Sequence, residues 1–552
     1  MNGPVWTTPR MAATADPSLT SPPAPAAAAG VPVRPIAVID IGTSSIRMAI
    51  AEVDSIGHVQ TLESLSQGVR LGKDAFTRNE ISRATIEDTV RVLKSYRQKL
   101  EEYGITRPDQ IRVVATSAVR EALNRLALID RVYMGTGLTI EPIEEAEVHR
   151  ITFRSIQPLL LSEKSLVESQ TIICEVGGGN TELLLVDRGN VAYSHSYRLG
   201  SLRLRQAMET FRAPSDKVQG IMQSEIERAL DDVPDLIPPG DRRLIGLGGD
   251  LRFAARQLVS SWDPQTLAPI RVDDLAKLTD KIAPMSEDAI VRRYHLPFPD
   301  AETLAPALMT YLHLARTLGV AQILVSSANL RDGLLREMAE GWTWTEDFRR
   351  QIFRSAIELG RKYDFDEEHG SHVAVLSQQL FRALKDDHKL DSRYEMILGL
   401  AATLHEIGRY VSNTSMHKHS MYLITNSDLF GLGSQDMLLV GLVARYHRRA
   451  SPKSTHPGFN TLDRDRRVAV LKLAAMLRIA IALDSSRAQR VHTLQCSRNK
   501  QRLIITVPDV EDLSVEQLAL KQGSGMFEDV FGLKVQLRTA DRPQLRGSSS
   551  QL

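Results

Sequence analysis

The chain is 552 residues long, enough for three or four domains with sizeable cores. Its 68 Lys+Arg against 67 Asp+Glu leave a formal net charge of +1, so no molecule-wide field draws it to nucleic acid or a membrane surface, and any polyanion site must be a local patch. Two cysteines, Cys174 and Cys496, exclude a disulfide framework and fit a reducing compartment.

The first 34 residues are rich in Ala, Pro, Ser and Thr and carry almost no periodicity, which predicts a disordered tail over 1–34. Prolines and polar residues break every apolar stretch there, so it does not read as a signal peptide. No run of 18 or more apolar residues follows, which predicts no membrane span and a cytoplasmic protein. Ile36–Val53, IAVIDIGTSSIRMAIAEV, then reads as two strands around a turn. Asp40 stands at the end of the first strand, Gly42, Thr43, Ser44 and Ser45 make the turn, and Arg47 lies in the second strand.

Apolar residues at Ile86, Val90, Leu93, Tyr96 and Leu100 form one helical face within Ile81–Tyr103. Ile111–Ala115 reads as a buried strand. Arg120, just past its end, suits a bidentate phosphate clamp, or a surface pair with Glu121. Glu144, Glu145 and Glu147 form an acidic stretch at a helix start, where such residues are stabilising in any case.

Ile172–Asp187 reads IICEVGGGNTELLLVD, two apolar runs around Gly177, Gly178, Gly179, Asn180 and Thr181. Three glycines can take positive φ angles and bring N–H groups close to an anion such as phosphate. Alone, the pattern reads equally well as an ordinary hairpin. It superimposes without gaps on the first hairpin, Asp40 on Glu175, Gly42 on Gly177, Ser44 on Gly179 and Arg47 on Glu182, at an offset of 135 residues. That offset is too long for a solenoid repeat and suits two duplicated domains. Facing each other, the hairpins would hold phosphates in two N–H-lined turns, with Asp40, Glu175 and Glu182 positioning a metal ion or a water.

Further on, Val191–Tyr197 reads as a strand. Leu244–Asp250 runs strand, Gly248-Gly249, helix start, a physical anion site because free N–H groups and the helix dipole both favour negative charge. Asp250 works against that charge, or caps the helix. Ile323–Ser327 reads as a strand and Leu330–Glu340 as a helix. Helical spacing then dominates at Ile352–Tyr363, His372–Leu384, Tyr394–Gly408, Asp436–His447 and Arg466–Leu483. Arg445, His447, Arg448, Arg449 and Lys453, followed by Arg464, Arg466 and Arg467, read as a polyanion groove or as a solvated helix face beside a basic loop. Leu503–Val507 and Phe531–Leu537 read as a small β element, and 541–552 as a second disordered tail.

At VIDIGTSSIRMAI, ATSAVREALN, EVGGGNTEL, LHEIGRY and NSDLFGL the chain resembles the Ppx/GppA family of exopolyphosphatases and pppGpp phosphatases, within the wider sugar kinase/Hsp70/actin superfold. The resemblance implies an α/β fold of two actin-like (ribonuclease H-like) domains over 35–158 and 159–341, an all-α HD-like domain over 342–490, and a small C-terminal α+β element over 491–540. It implies a Mg2+-dependent phosphoric anhydride hydrolase, acting as a homodimer, that releases orthophosphate from inorganic polyphosphate or from the 5′ end of pppGpp. Arg120 would then belong to the phosphate cleft, with Mg2+ near Asp40, Glu175 and Glu182. The family's general base stands two residues before an arginine that falls on Arg150, which puts the base on Val148. Valine accepts no proton, so three readings stay open: Glu147 serves, Glu145 serves, or the cleft binds polyphosphate or an alarmone without efficient hydrolysis. His372, His405, Glu406 and Asp484 resemble the metal-ligand series of HD phosphohydrolases, or remain as hydrogen-bonding groups of a helical domain.

Overall fold

The computed structural model describes residues 33–539, apart from 211–213, 215–216, 238, 341–345, 449 and 509. The expected tails, except residues 33 and 34, lie outside the described residues, as does Arg449. Arg34 already opens the first strand.

Two sheets share one topology. The first contains β1 (Arg34–Ile41), β2 (Ser45–Val53), β3 (Val59–Gly68), β4 (Ile111–Ala115) and β5 (Ile140–Pro142), in the order β3-β2-β1-β4-β5. The second contains β6 (Gln170–Val176), β7 (Thr181–Asp187), β8 (Asn190–Tyr197), β9 (Arg242–Leu247), β10 (Ala268–Arg271) and β11 (Gln322–Val325), in the order β10-β11-β9-β6-β7-β8. In each, an antiparallel meander is continued by parallel strands, with β10 added at one edge of the second. The hairpin registers coincide, Asp40 opposite Arg47 and Glu175 opposite Glu182, which is the pairing the ungapped superposition requires.

The near-continuous apolar character of β1 follows from burial on both faces. Ala37, Ile39 and Ile41 enter one core, and Ile36 and Val38 the other. On the first core lies α1 (Arg83–Glu102), whose start is capped by Ser82 accepting from the Thr85 amide at 3.3 Å. α2 (Glu145–Ser162) begins beside β5 and spans the division expected at 158/159. α3 (Gly249–Leu258), α4 (Phe298–Thr317) and α5 (Leu330–Glu340) complete this half.

Six longer helices follow: α6 (Glu346–Lys362), α7 (Glu367–Ala383), α8 (Arg393–Leu404), α9 (Met416–Thr425), α10 (Ser434–Arg445) and α11 (Arg464–Leu483). They do not hang on a linker. One continuous core runs from Ile173, Leu184 and Ile245 of the second sheet through Phe153 of α2 to Ile352, Leu400 and Leu477. At the seam, Phe153 meets Phe430 edge to face, with ring centroids 5.8 Å apart. A three-stranded sheet of β12 (Gln495–Arg498), β13 (Arg502–Val507) and β14 (Lys534–Thr539) ends the described chain. No helix among the described residues is long and apolar enough to cross a membrane.

Candidate active site

The two hairpin turns face each other. Gly42 N–H donates to the Ser45 carbonyl at 3.0 Å and Gly177 N–H to the Asn180 carbonyl at 2.9 Å, the same bond in equivalent turns. The three glycines of the second turn were expected to supply positive φ angles, but none of them does so. Their role is close approach. A Cβ at Gly178 would lie 2.9 Å from Thr43 Cβ, and one at Gly179 would lie 2.3 Å from Ser117 Oγ. Gly200, after β8, backs the turn so closely that a Cβ there would sit 2.3 Å from the Gly178 carbonyl oxygen. Arg203 ties the halves together by donating to the Gly179 carbonyl at 2.9 Å and to Glu121 at 2.6 Å. Glu121 therefore pairs with Arg203 and Arg198, not with Arg120.

Between the halves lies a cleft of about 410 Å3, lined by Gly42, Thr43, Ser44, Ser45, Gly177, Gly178, Gly179 and Asn180 from the turns, and by Gly248 and Gly249 from the start of α3. Thr181 is buried and donates its hydroxyl to the Leu199 carbonyl, so it braces the hairpin without lining the cleft. Asp40, Glu175, Glu182, Arg47 and Arg120 all line the cleft, together with Arg252, Arg256 and Arg331. Arg331 donates to Asp40 Oδ2 at 3.4 Å, while Asp40 Oδ1 is buried with no hydrogen-bond partner among the described residues. Burial raises the Glu175 carboxyl above its ordinary range, and the nearby Glu182 and Asp40 charges add to that shift. Glu182 Oε2 accepts from His149 Nε2 at 2.6 Å and from the Ser196 hydroxyl, leaving Oε1 for the cleft.

This donor set fits Mg2+. An orphaned buried carboxylate oxygen and two further acids supply hard oxygen ligands without a closed protein cage, and Mg2+ usually keeps several waters and takes one or two carboxylates plus substrate phosphate.

The acidic start of α2 divides its labour. Glu147 returns its carboxylate to its own helix start, accepting from the Glu144 amide at 3.1 Å, and does not line the cleft. Val148 does line it, as an apolar wall. Arg150, from which the base position was counted, is half-buried and pairs with Glu337 of α5. Glu145 does not line the cleft either, but it holds two side chains that do. Its Oε1 accepts from Arg120 Nη2 at 2.9 Å and from Asn180 Nδ2 at 3.1 Å, bridging the two halves, and Oε2 has no partner among the described residues. Arg120 is held in turn by donating Nη1 to the Ile143 carbonyl at 2.9 Å.

At the other end, Gly248 adopts φ +96° and caps α3, a backbone that only glycine takes easily. Asp250 lies inside the first turn, not at the cap. It accepts from Thr303 Oγ1 at 3.1 Å, and burial pushes its carboxyl up to about 6. Arg252 offers a buried Nη1 with no partner among the described residues. Sequence reasoning had not singled out Arg331, His149 or Ser196. Arg331 carried a readable signal, since it follows a strand and a run of small residues just as Arg120 does. His149 and Ser196 carried none.

In the helical part, the structure brings together His369, His405 and Glu406, whose donor atoms all lie within 4.8 Å of one another. His372 stands apart from them, its ring 5.9 Å from that of His492. Asp484 accepts from His369 Nδ1 at 2.7 Å and, through its other oxygen, from the Gln489 amide at 3.0 Å. The basic run is not one groove. His447 is buried and donates to the Ala444 carbonyl, Arg445 lies over the Tyr446 ring, and Arg448 and Lys453 are exposed. His447 is held inward because its backbone-anchored ring packs 5.0 Å from the ring of His405.

An exopolyphosphatase from Cytophaga hutchinsonii superimposes with a TM-score of 0.50 at 22% identity, covering 56% of this chain and 98% of its own. The Ppx/GppA family member of Aquifex aeolicus does so with a TM-score of 0.47 at 23% identity, covering 57% and 100%. The family model described as Ppx/GppA phosphatase, domain III, matches residues 352–522. The model of the Ppx/GppA phosphatase family itself matches residues 36–341, more than half of the sequence, and the chain belongs to that family.

Proposed function

We propose that the protein is a Mg2+-dependent exopolyphosphatase whose general base is Glu145. The observation that carries this reading is that Glu145 accepts from Arg120 of one half and Asn180 of the other, two side chains that line a cleft built on two N–H-bearing turns. The terminal phosphate rests between Thr43-Ser44-Ser45 and Gly177–Asn180. Arg120 lies beside it, and Arg47, Arg252 and Arg331 meet the following phosphates. Mg2+ near Asp40, Glu175 and Glu182 would neutralise charge developing on the phosphoryl oxygens. Glu145 Oε2 takes a proton from water as the water oxygen attacks the terminal phosphorus. The bridging P–O bond breaks, releasing orthophosphate and a chain one unit shorter.

One feature favours pppGpp as an alternative substrate of the same chemistry. Phe253, Leu296 and Leu304 give the Arg252 end of the cleft an apolar wall on which a base could rest. The deciding experiment measures orthophosphate released from long-chain polyphosphate and, separately, from pppGpp with Mg2+. Turnover that falls about 10²- to 10⁴-fold in Glu145→Gln is expected, the range for a lost general base. Retained turnover removes Glu145 from the chemistry. Tight polyphosphate binding without turnover in the wild type makes the protein a sensor.

A further inference from the structure

A pocket of about 460 Å3 is lined from α7, α11 and the segments that follow α8 and α10, and it shares no lining residue with the cleft. Its charged lining is four arginines, Arg409, Arg448, Arg478 and Arg487, against two carboxylates, Glu406 and Asp484. Both carboxylates are spent. Glu406 accepts from Arg487 Nη2 on each oxygen, at 2.8 and 2.7 Å, and pairs with Arg409 at 3.1 Å. Asp484 bonds His369 Nδ1 at 2.7 Å and accepts from the Gln489 amide at 3.0 Å.

The surplus positive charge is that of Arg448 and Arg478. Arg448 is exposed and has no carboxylate partner among the described residues. Arg478 is only 9% exposed, yet its guanidinium meets carbonyl oxygens alone. Nε donates to the Tyr446 carbonyl at 2.8 Å and Nη2 to the Ala450 carbonyl at 2.7 Å, which leaves Nη1 unbonded among the described residues. Carbonyl dipoles orient such a cation without neutralising it, and a buried charge calls for a partner of opposite sign. The pocket therefore suits an anion.

One further group narrows which anion. His369, in the lining, is 2% exposed, and its Nε2 is buried with no partner among the described residues. Its Nδ1 faces a carboxylate, which only accepts, so the hydrogen sits on Nδ1 and leaves Nε2 an acceptor. An anion that satisfies both the arginines and this ring must carry a proton of its own. Orthophosphate does so at and above neutral pH. Sulfate does not, and a phosphate monoester, with a second pKa of about 6, has lost its proton by pH 8. We propose that this pocket binds one orthophosphate ion, with Arg448 and Arg478 on its unprotonated oxygens and His369 Nε2 accepting from its P–OH group. Orthophosphate is also what the proposed hydrolysis releases, and the pocket would bind it whether or not the cleft turns over.

The test uses the full-length chain with Arg120→Ala, which removes the phosphate clamp of the cleft, titrated by calorimetry at pH 8 with inorganic phosphate, sulfate and glycerol 3-phosphate. One equivalent of inorganic phosphate is expected, with the other two at least about tenfold weaker, the worth of a lost hydrogen bond to a charged group. Adding Arg448→Glu should weaken inorganic phosphate by at least about tenfold as well, while Arg448→Glu alone keeps the wild-type affinity for long-chain polyphosphate. Sulfate bound as tightly as phosphate overturns the proposal, since an unselective basic patch would do the same. Unchanged phosphate affinity with Arg448→Glu also overturns it, and so does weakened polyphosphate binding, which would make the pocket part of the substrate path. Should a variant misfold, the wild type decides, because absence of a rise in Tm with inorganic phosphate overturns the proposal too.

Discussion

Glu145 and Glu147 are two residues apart on one helix, yet they face different tasks. A helical step of about 100° per residue turns them roughly 200° apart. Glu147 completes the capping bond at 3.1 Å, whereas Glu145 meets Arg120 and Asn180. Glu147→Gln is therefore expected to keep wild-type kcat and cost at most about 1 kcal/mol of stability, the value of a cap; paired phosphate-release and denaturation curves check both. Asp250 is the other residue with a distinct consequence. Its carboxyl titrates near 6, so it is neutral below that pH and charged above it, next to the path of a polyanion. With the folded value raised, its contribution to stability is complete below the ordinary 3.8 and is lost as the pH rises through about 6. Asp250→Asn should gain Tm over the wild type above pH 6 and lower the polyphosphate KM at pH 8 about tenfold, roughly one pKa unit of interaction. Equal KM values at pH 8 would show that the charge does not meet the substrate.

At the level of elements, α2 is the piece on which the cleft depends. Glu145 and His149, one turn apart, address Asn180 and Glu182 of the glycine hairpin, so a single helix face registers both carboxylates. His149→Leu is expected to raise the Mg2+ concentration for half-maximal activity about tenfold, as loss of outer-sphere support does. His149→Gln keeps an N–H donor and should restore most of it. Calorimetric Mg2+ affinity distinguishes this from a general loss of stability. The hairpins themselves were legible in sequence because acid, glycine and apolar runs recur at one fixed offset, and their registers match. β3 was not legible. It is an exposed strand at the sheet edge whose residues are mostly polar, so no alternation marks it. α4 was missed for the opposite reason: it is apolar nearly all round, and a helix buried on every side shows no amphipathic period. The sequence reading singled out His372, whereas the structure groups His369, one turn earlier on the same helix, with His405 and Glu406.

For the whole molecule, the decisive fact is that the second sheet and the helical part share one core. Removing residues beyond 345 would bare Phe153, Ile156, Ile173 and Leu184 at once, and the shortened chain is expected to aggregate or bind a hydrophobic dye, as size-exclusion chromatography and fluorescence would report. No local sequence pattern announces that union, because it joins residues far apart in the chain, such as Phe153 and Phe430, 277 positions apart. The same union reaches the start of α2. Ser434, opening α10, donates its backbone N–H and its hydroxyl, the latter at 2.8 Å, to Glu144. His195 and Asp428 pair nearby at 3.4 Å.

Glu144 and Glu145 are consecutive, about 3.8 Å apart along the chain. The first is gripped by the helical part and the second bears on the cleft. A pull on the loop before α10, whether from a ligand seated among the helices or from another subunit pressing on them, would arrive at the proposed proton acceptor after crossing a single peptide unit. Signal and chemistry would then share one lever, too short to lose its motion along the way.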